Sequence, residues 1–199
     1  MKNKLEPLSS VADLHTVQVF RDSSPEIDIE GNAYSISIRD IVGPWPLFVN
    51  ELTKILLTPE QKQHCIKNED ILMPGRGDRY PARIIQENEK NIIPVGHITV
   101  IRSTERINPN YLAWYLNRNE TQQELAKLLT GTNIKSLNKS KLMSIPIYMP
   151  ERHVQESISE IQKLYFQKII LQKKLAILDE IEVKAVCENI FSKKEDLHG

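Results

Sequence analysis

Cysteine is scarce in this chain, and its two copies suggest no structural or metal framework. Cys65 and Cys187 lie far apart in the 199 residues, and neither belongs to a CxxC pair. Two isolated cysteines cannot supply the clustered ligands of a zinc site or the disulfides of a small secreted domain. We therefore expect two reduced thiols in a cytoplasmic protein.

Long hydrophobic runs are missing as well. The longest, residues 41–49, is interrupted by Pro44 and Pro46, whereas a membrane span needs about 20 apolar residues. The opening residues, MKNKLEPLSS, lack the apolar core of a signal peptide. These absences predict a protein that has no membrane partner.

An excess of either charge is also absent, which removes any global electrostatic argument for a nucleic-acid partner. The chain has 26 basic and 26 acidic residues. Their distribution is uneven, because residues 22–30 carry four acids and no base while residues 125–150 carry four lysines and no acid. A neutral chain of this kind can still present a basic face.

Catalytic motifs are absent or weak. The five histidines have no HxH or HExxH spacing, and there is no P-loop, GxGxxG or GxSxG motif. Residues 60–62 and 182–184 match the Glu-x-Lys fragment of metal-dependent nucleases, a triplet that is common by chance. We predict a binding protein that is not an enzyme and holds no metal or cofactor itself. A nuclease that uses Glu60 and Lys62 is one alternative.

The first hundred residues have the alternation and turn signals of short strands. Residues 33–38 alternate apolar and polar side chains, and residues 82–85 and 92–101 are rich in β-branched side chains. After residue 107 the apolar residues recur at the spacing of a helix. Asn108 followed by proline predicts a helix over residues 109–117.

Three shorter elements are expected after that helix. Asn119 should cap a second helix that runs through Leu129, and Gly131 is suited to a left-handed C-cap. A helical turn over residues 138–143 and a strand over residues 145–149 should follow. These elements would close the domain that the strands begin.

The last part of the chain predicts one long helix. Residues 151–188 contain neither proline nor glycine, and a helix of about 35 residues is about 50 Å long. Because the chain offers no second helix of this length, an apolar stripe at heptad spacing predicts self-association. The stripe comprises Ile161, Leu164, Leu171, Leu175, Leu178 and Ala185.

These patterns predict an α+β fold with three parts. Residues 1–150 form a β-rich domain that contains small helices. Residues 151–190 form the long helix, which we expect to build a coiled coil. Residues 191–199 are predicted to be a flexible tail.

Two clusters are candidate binding sites for nucleic acid. In the acid-free segment, Thr132, Asn133, Lys135, Lys139 and Lys141 are suited to contact phosphate oxygens. The alternative for this segment is a solvent-exposed turn that caps a helix, and its composition does not exclude it.

The second cluster lies in the glycine- and arginine-rich loop over residues 75–83. Arg76, Arg79 and Arg83 could pair with base edges, and Tyr80 could stack or donate a hydrogen bond. Arg39, after the first alternating strand, is a weaker candidate for the same role. A surface hairpin with scattered charges remains the alternative.

The order of four passages resembles a known family. They are DILM (70–73) before the glycine/arginine loop, INPNYLAWYLN (107–117), GTNIKSLNKSKLMSIPIYMP (131–150), and Gln155 at the start of the long helix. This order resembles one half of the DNA-specificity subunit of a type I restriction-modification system. Such subunits have two target recognition domains and two long helices, whereas this chain has one of each.

The resemblance implies a function and partners. Residues 1–150 would be a target recognition domain that binds double-stranded DNA and catalyses nothing. A modification subunit would bind S-adenosylmethionine and methylate adenine, and a restriction subunit could join it. Two copies of the chain would pair their long helices as a homodimer and direct the complex to a bipartite site. A truncated protein that occupies the modification subunit without binding DNA is the remaining alternative.

Overall fold

Alternating segments form strands in the first hundred residues, and helices predominate after residue 107. The computed structural model describes residues 4–17, 19–20, 23–85, 90–130 and 135–195. By its contacts the chain divides into two compact units, Met1–Gln162 and Lys163–Gly199. Its α+β class, with a long helix at the end, agrees with the sequence prediction.

The strands and helices of the described residues are numbered here in chain order. They are β1 (Lys4–Pro7), β2 (Ala12–His15), β3 (Ala33–Ile36), α1 (Ile38–Val42), β4 (Thr53–Ile55), α2 (Pro59–Lys62), β5 (Ile71–Pro74), β6 (Arg83–Ile84), β7 (Ile92–Pro94), β8 (Ile98–Ser103), α3 (Pro109–Leu116), α4 (Asn119–Lys127), β9 (Leu129–Thr130), β10 (Ser136–Leu137), α5 (Lys139–Met143), β11 (Pro146–Met149) and α6 (Arg152–Glu195). None of the described helices is long and apolar enough to cross a membrane.

Two sheets carry most of the first unit. One has the order β2-β8-β5-β6 with antiparallel neighbours, and the other has the order β4-β3-β7. In the second sheet β3 is antiparallel to β4 and parallel to β7. Two further pairs, β1 with β11 and β9 with β10, are antiparallel.

The main core lies on one face of the first sheet. Leu72, Ile98 and Val100 alternate onto that face and cluster with Ile36 and Ile92 of the second sheet. All five side chains are buried, so the period-2 pattern of the strands is what joins the two sheets.

The register of β5 with β8 determines which residues meet at the two ends of the pair. Ile71 lies opposite Ile101 and Pro74 opposite Ile98. One more step in each direction brings Asp70 to Arg102 and Gly75 to His97. The backbone N–H of Gly75 donates to the His97 carbonyl at 2.7 Å.

Asp70 has a buried carboxylate that pairs with an arginine and accepts a backbone hydrogen bond. Its side chain is 1% exposed and accepts from the Nε and Nη2 atoms of Arg102, both at 2.8 Å. The backbone N–H of Lys67 donates to the same carboxylate at 2.8 Å. This bidentate pair links β5, β8 and the turn that precedes β5.

The helix predicted after Asn108 is confirmed, with a small difference at its end. The Asn108 side chain accepts from the backbone N–H groups of Asn110 and Tyr111 and thereby caps α3. Leu112 and Leu116 are completely buried, as the helical spacing predicts. The predicted turn and strand near residues 138–149 are also confirmed, as α5 and β11.

The second predicted helix is shorter than expected. It ends at Lys127 rather than at residue 129, and its N-cap is Arg118. Residues 129–130 instead pair with residues 136–137 as β9 and β10. Pairing with a neighbouring segment has therefore overridden local helix propensity. The predicted C-cap, Gly131, lies outside the described residues.

Gln155 ties the start of α6 to the β-rich domain. Its side chain is 3% exposed. The Oε1 atom accepts from the Asn108 N–H at 2.9 Å, and the Nε2 atom donates to the Pro150 carbonyl at 3.1 Å. The first turns of α6 therefore belong to the first unit.

Two predicted boundaries need correction because of α6. The helix continues to Glu195, so residues 191–195 are helical and are not part of a tail. The contacts divide the chain after Gln162, within α6, whereas the predicted domain ends at residue 150, before this helix begins. Both corrections follow from the uninterrupted helix, whose beginning is anchored by Gln155.

Replacing Asp70 with alanine is expected to lower the free energy of unfolding by about 2–3 kcal/mol, because Arg102 then lies partly buried without its partner. Urea unfolding followed by circular dichroism measures the change. Glu105→Ala, at an exposed position in the turn after β8, is the control. A loss below about 0.5 kcal/mol for Asp70→Ala, the range of ordinary surface substitutions, would contradict the structural role of the pair.

Candidate nucleic-acid interface

The two clusters predicted from the sequence are neighbours in the fold. The N–H of Gly77 donates to the Lys135 carbonyl at 3.0 Å, and the N–H of Leu137 donates to the Gly75 carbonyl at 3.1 Å. Arg76 and Ser136 form an antiparallel β-bridge. The loop over residues 75–79 therefore lies beside the segment over residues 135–139.

Gly75 permits the close backbone approach on which this arrangement depends. A Cβ atom at this position would lie 2.9 Å from the His97 carbonyl oxygen. Gly77 has φ +114°, a conformation that side chains disfavour. The close approach at Gly75 and the positive φ at Gly77 therefore favour glycine on both sides of Arg76.

Arg76 and Lys139 line one cleft of about 230 Å³ at the end of the first sheet. We call it the Arg76 cleft. Thr16, His97, Thr99 and Ser136 contribute to its wall. Arg76 and Lys139 are exposed, and the Lys139 Nζ donates to the Thr16 hydroxyl. The cleft thus presents two cations and several short polar side chains.

The other two predicted lysines lie around or beyond this cleft. The Lys135 Nζ lies 3.5 Å from the Asp78 carboxylate, and both side chains are more than half exposed. Such an exposed pair is weak, so Lys135 keeps most of its attraction for an anion. Lys141 is exposed on α5 and does not line the Arg76 cleft. Thr132 and Asn133 lie outside the described residues.

Tyr80 is buried and does not offer its ring to a ligand. It is 3% exposed, and its hydroxyl donates to the Lys135 carbonyl at 3.2 Å. Burial raises its pKa, with a smaller contribution from Asp78. We therefore replace the predicted stacking role with a positioning role: Tyr80 joins the arginine loop to the lysine segment.

Arg79 and Arg83 line a different cleft, of about 310 Å³, beside Val42 and Asn117. We call it the Arg79 cleft. Arg79 is exposed. Arg83 is half-buried, its Nε donates to the Ile41 carbonyl at 3.0 Å, and its guanidinium lies 5.5 Å from the centre of the Trp45 ring.

Arg83 is consequently engaged within the protein. Burial lowers its pKa below the ordinary value, and the like charge of Arg79 adds to the effect. An arginine keeps its proton in a protein under such conditions. Arg39, on α1, is exposed and lines neither cleft.

Sequence reasoning missed two residues of the Arg76 cleft, Thr16 and His97. Strand pairing gives the reason for their position, because the register of β2 with β8 places Thr16 next to Thr99. His97 follows Gly96, which has a positive φ of 76°. A glycine before a histidine at the end of a predicted strand was the available signal for a turn.

The triplet that suggested a nuclease has an ordinary structural position. Glu60 and Lys62 lie on α2, and Thr58 caps this helix through the Gln61 N–H. The pKa of Glu60 is lowered by backbone and Thr58 hydrogen bonds. Within the described parts of the chain, no group of three or more His, Cys, Asp or Glu side chains is placed to hold a metal ion.

Comparison with known proteins gives one family match. A family model described as the type I restriction modification DNA specificity domain matches residues 19–183. A search of curated proteins returned no match.

The fold is also similar to that of solved structures. The S subunit of a type I restriction-modification system from M. genitalium has a TM-score of 0.62 and 15% identity, over 92% of this chain and 43% of that one. A structure from work on assembly and conformational transition of the type I R-M system has a TM-score of 0.56 and 17% identity, over 92% and 43%. The HsdS subunit from Thermoanaerobacter tengcongensis has a TM-score of 0.54 and 17% identity, over 86% and 39%. The chain thus spans about two fifths of the proteins it matches.

Proposed function

Because the chain belongs to the family of type I restriction-modification DNA specificity domains, which are not catalytic, we propose that it reads a DNA sequence for a methyltransferase complex. The observation that carries this proposal is the meeting of two sequence-distant cationic segments at the Arg76 cleft. Exposed Arg76 and Lys139 line that cleft, and Lys135 lies at its side. Side chains of these types bind base edges and phosphates.

In this proposal, some residues contact base edges and others contact backbone phosphates. Arg76 and Arg79 reach base edges, since both are exposed on one loop. Lys135, Lys139 and Lys141 neutralise backbone phosphates, and Thr132 and Asn133 add hydrogen bonds there. Arg83 supports the loop through its contacts with Ile41 and Trp45. Arg39 would extend the reading surface to α1.

The second unit, residues 163–195 of α6, supports the proposal of a homodimer. Leu164, Leu171, Leu175 and Leu178 are each more than half exposed. A helix with such an apolar stripe gains free energy by covering it with another helix. We propose that two copies pair through α6 and present two recognition domains to a bipartite site.

We further propose partners that supply the chemistry. A modification subunit would bind S-adenosylmethionine and methylate adenine, and a restriction subunit could join the complex. This chain would contribute the DNA sequence preference and a docking surface. The proposal is supported by the family membership and by the cationic cleft.

Selection from a random DNA library tests sequence recognition. The chain, alone and together with a modification subunit, is expected to enrich a bipartite consensus. Arg76→Ala should relax the preference at one position of that consensus, at a cost of about 1–3 kcal/mol for the matching base. Competition binding against single-base variants of the site measures this cost.

Arg152→Ala is the matched control, because Arg152 is exposed at the start of α6 and pairs with Glu156. It should leave every position unchanged. Recovery of an unenriched library by the wild-type complex would refute sequence recognition. A uniform loss across all sequences for Arg76→Ala would instead make Arg76 a phosphate contact.

Phosphate contacts predict a specific salt dependence. The double change Lys135→Ala and Lys139→Ala should weaken binding to all sequences and reduce the slope of log K against log salt by about two units. Lys127→Ala is the control, because Lys127 is exposed and pairs with Glu124 on α4. Binding titrations at several salt concentrations give both slopes, and an unchanged slope in the double variant would contradict the assignment.

The homodimer predicts a mass of twice 23.0 kDa in light scattering. Leu171→Asp with Leu178→Asp should give a monomer, because each aspartate would place a charge in the apolar seam. Lys184→Asp makes the same net charge change about 120–140° around the helix from the two leucines, and this variant should remain a dimer. Circular dichroism checks that helicity is kept, and a monomeric wild-type chain would exclude this dimer.

A further inference from the structure

A third cleft lies beside the Arg76 cleft and contains side chains that the sequence did not bring together. It has a volume of about 230 Å³ and is lined by His15, His64, Cys65, Lys67, Asp70 and Arg102, among others. We call it the His64 cleft. β2 supplies His15, β8 supplies Arg102, and residues 63–67 form the opposite wall.

The groups in this lining favour an anion. His64 and Lys67 are exposed, whereas the Asp70 carboxylate is buried and accepts hydrogen bonds from both Arg102 and the Lys67 backbone. Asp70 therefore offsets the charge of Arg102. The Lys67 ammonium group and the His64 imidazole also line the cleft, without an acid paired to them among the lining residues.

The two clefts adjoin each other. Thr16 and Val17 line both the Arg76 cleft and the His64 cleft. Arg76 and Lys139 line one of the two clefts that share this segment, and His64 and Lys67 line the other. An elongated polyanion bound in the first cleft would reach the second by passing Thr16 and Val17, which both clefts share.

We propose that the His64 cleft binds a second phosphate group of the same DNA backbone that contacts the Arg76 cleft. This inference rests on the proposed function and deepens it, because it extends the DNA path along residues 15–17. Lys67 supplies the charge, His15 and His64 supply hydrogen bonds, and Arg102, held by Asp70, contributes to the wall. The ligand class is a phosphodiester of duplex DNA.

Salt dependence tests the proposal without disturbing the fold. Lys67→Gln removes an exposed charge and keeps the backbone donor to Asp70, and it should reduce the slope of log K against log salt by about one unit for every DNA sequence. Lys54→Gln removes the same charge from β4 in the other sheet and should leave the slope unchanged. His64→Gln should weaken binding with little change in slope.

Site-directed cross-linking locates the phosphate independently. In a Cys187→Ser variant, Cys65 is the remaining thiol. A duplex with a disulfide-activated tether on one backbone phosphate exchanges its leaving thiol for the Cys65 sulfur when that phosphate lies in the cleft. The reaction is run at alkaline pH, because burial raises the pKa of Cys65 and the thiolate is the nucleophile. Cross-linking confined to one or two tether positions is expected.

The outcomes separate the two proposals. An unchanged slope for Lys67→Gln, or cross-linking that is equal at every tether position, would overturn the His64 cleft while wild-type DNA binding leaves the proposed function intact. If the wild-type complex binds no DNA at any salt concentration, both proposals fail. A reduced slope together with position-specific cross-linking supports the second phosphate site.

Discussion

The pairing of β5 with β8 is the constraint on which the candidate interface depends. At one end of the pair, Asp70 holds Arg102 in a bidentate ion pair. At the other end, Gly75 approaches the His97 carbonyl so closely that a side chain would not fit. The His64 cleft lies at the first end and the Arg76 cleft at the second. One register therefore positions both clefts.

Charge in this protein acts through position and not through its total. The net charge is zero, yet individual acids and bases have different surroundings in the fold. Glu26 and Asp28 lie on a segment that pairs with residues 54–56 through backbone hydrogen bonds. Arg76 and Lys139 meet at a cleft instead. Salt at 0.1 M limits the interaction between exposed charges to a range of about 10 Å. A DNA backbone bound at the cleft would therefore be attracted by the nearby cations and only weakly repelled by distant acids.

The long helix combines a tightly anchored beginning with an exposed apolar remainder. Gln155 satisfies one backbone donor and one backbone acceptor of the β-rich domain while almost completely buried. Replacing Gln155 with an apolar residue would leave the Asn108 N–H and the Pro150 carbonyl without these partners at a buried position. Beyond residue 162 the helix has leucines with no described cover. A helix that is fixed at its first turns and exposes leucines along the rest is suited to pack against another helix.

Local physics determined much of this protein from the sequence alone. The alternation over residues 33–38, of which 33–36 form β3, the cap at Asn108 and the absence of proline and glycine over residues 151–188 each specify an element through contacts between near neighbours. The order of the four passages over residues 70–155 likewise predicted the family, which the family model confirms. A segment whose helix propensity competes with strand pairing was predicted less well, as at residues 129–130.

Only the tertiary structure decided which residues share a site. Arg76, Lys135 and Lys139 belonged to two separate clusters in the sequence, and backbone hydrogen bonds between residues 75–77 and 135–137 join them. Tyr80 looked available for stacking but is buried as a positioning residue. Thr16 joins the Arg76 cleft through strand register. Composition and spacing carry the preferences of single segments, whereas long-range pairing determines which side chains face the same ligand.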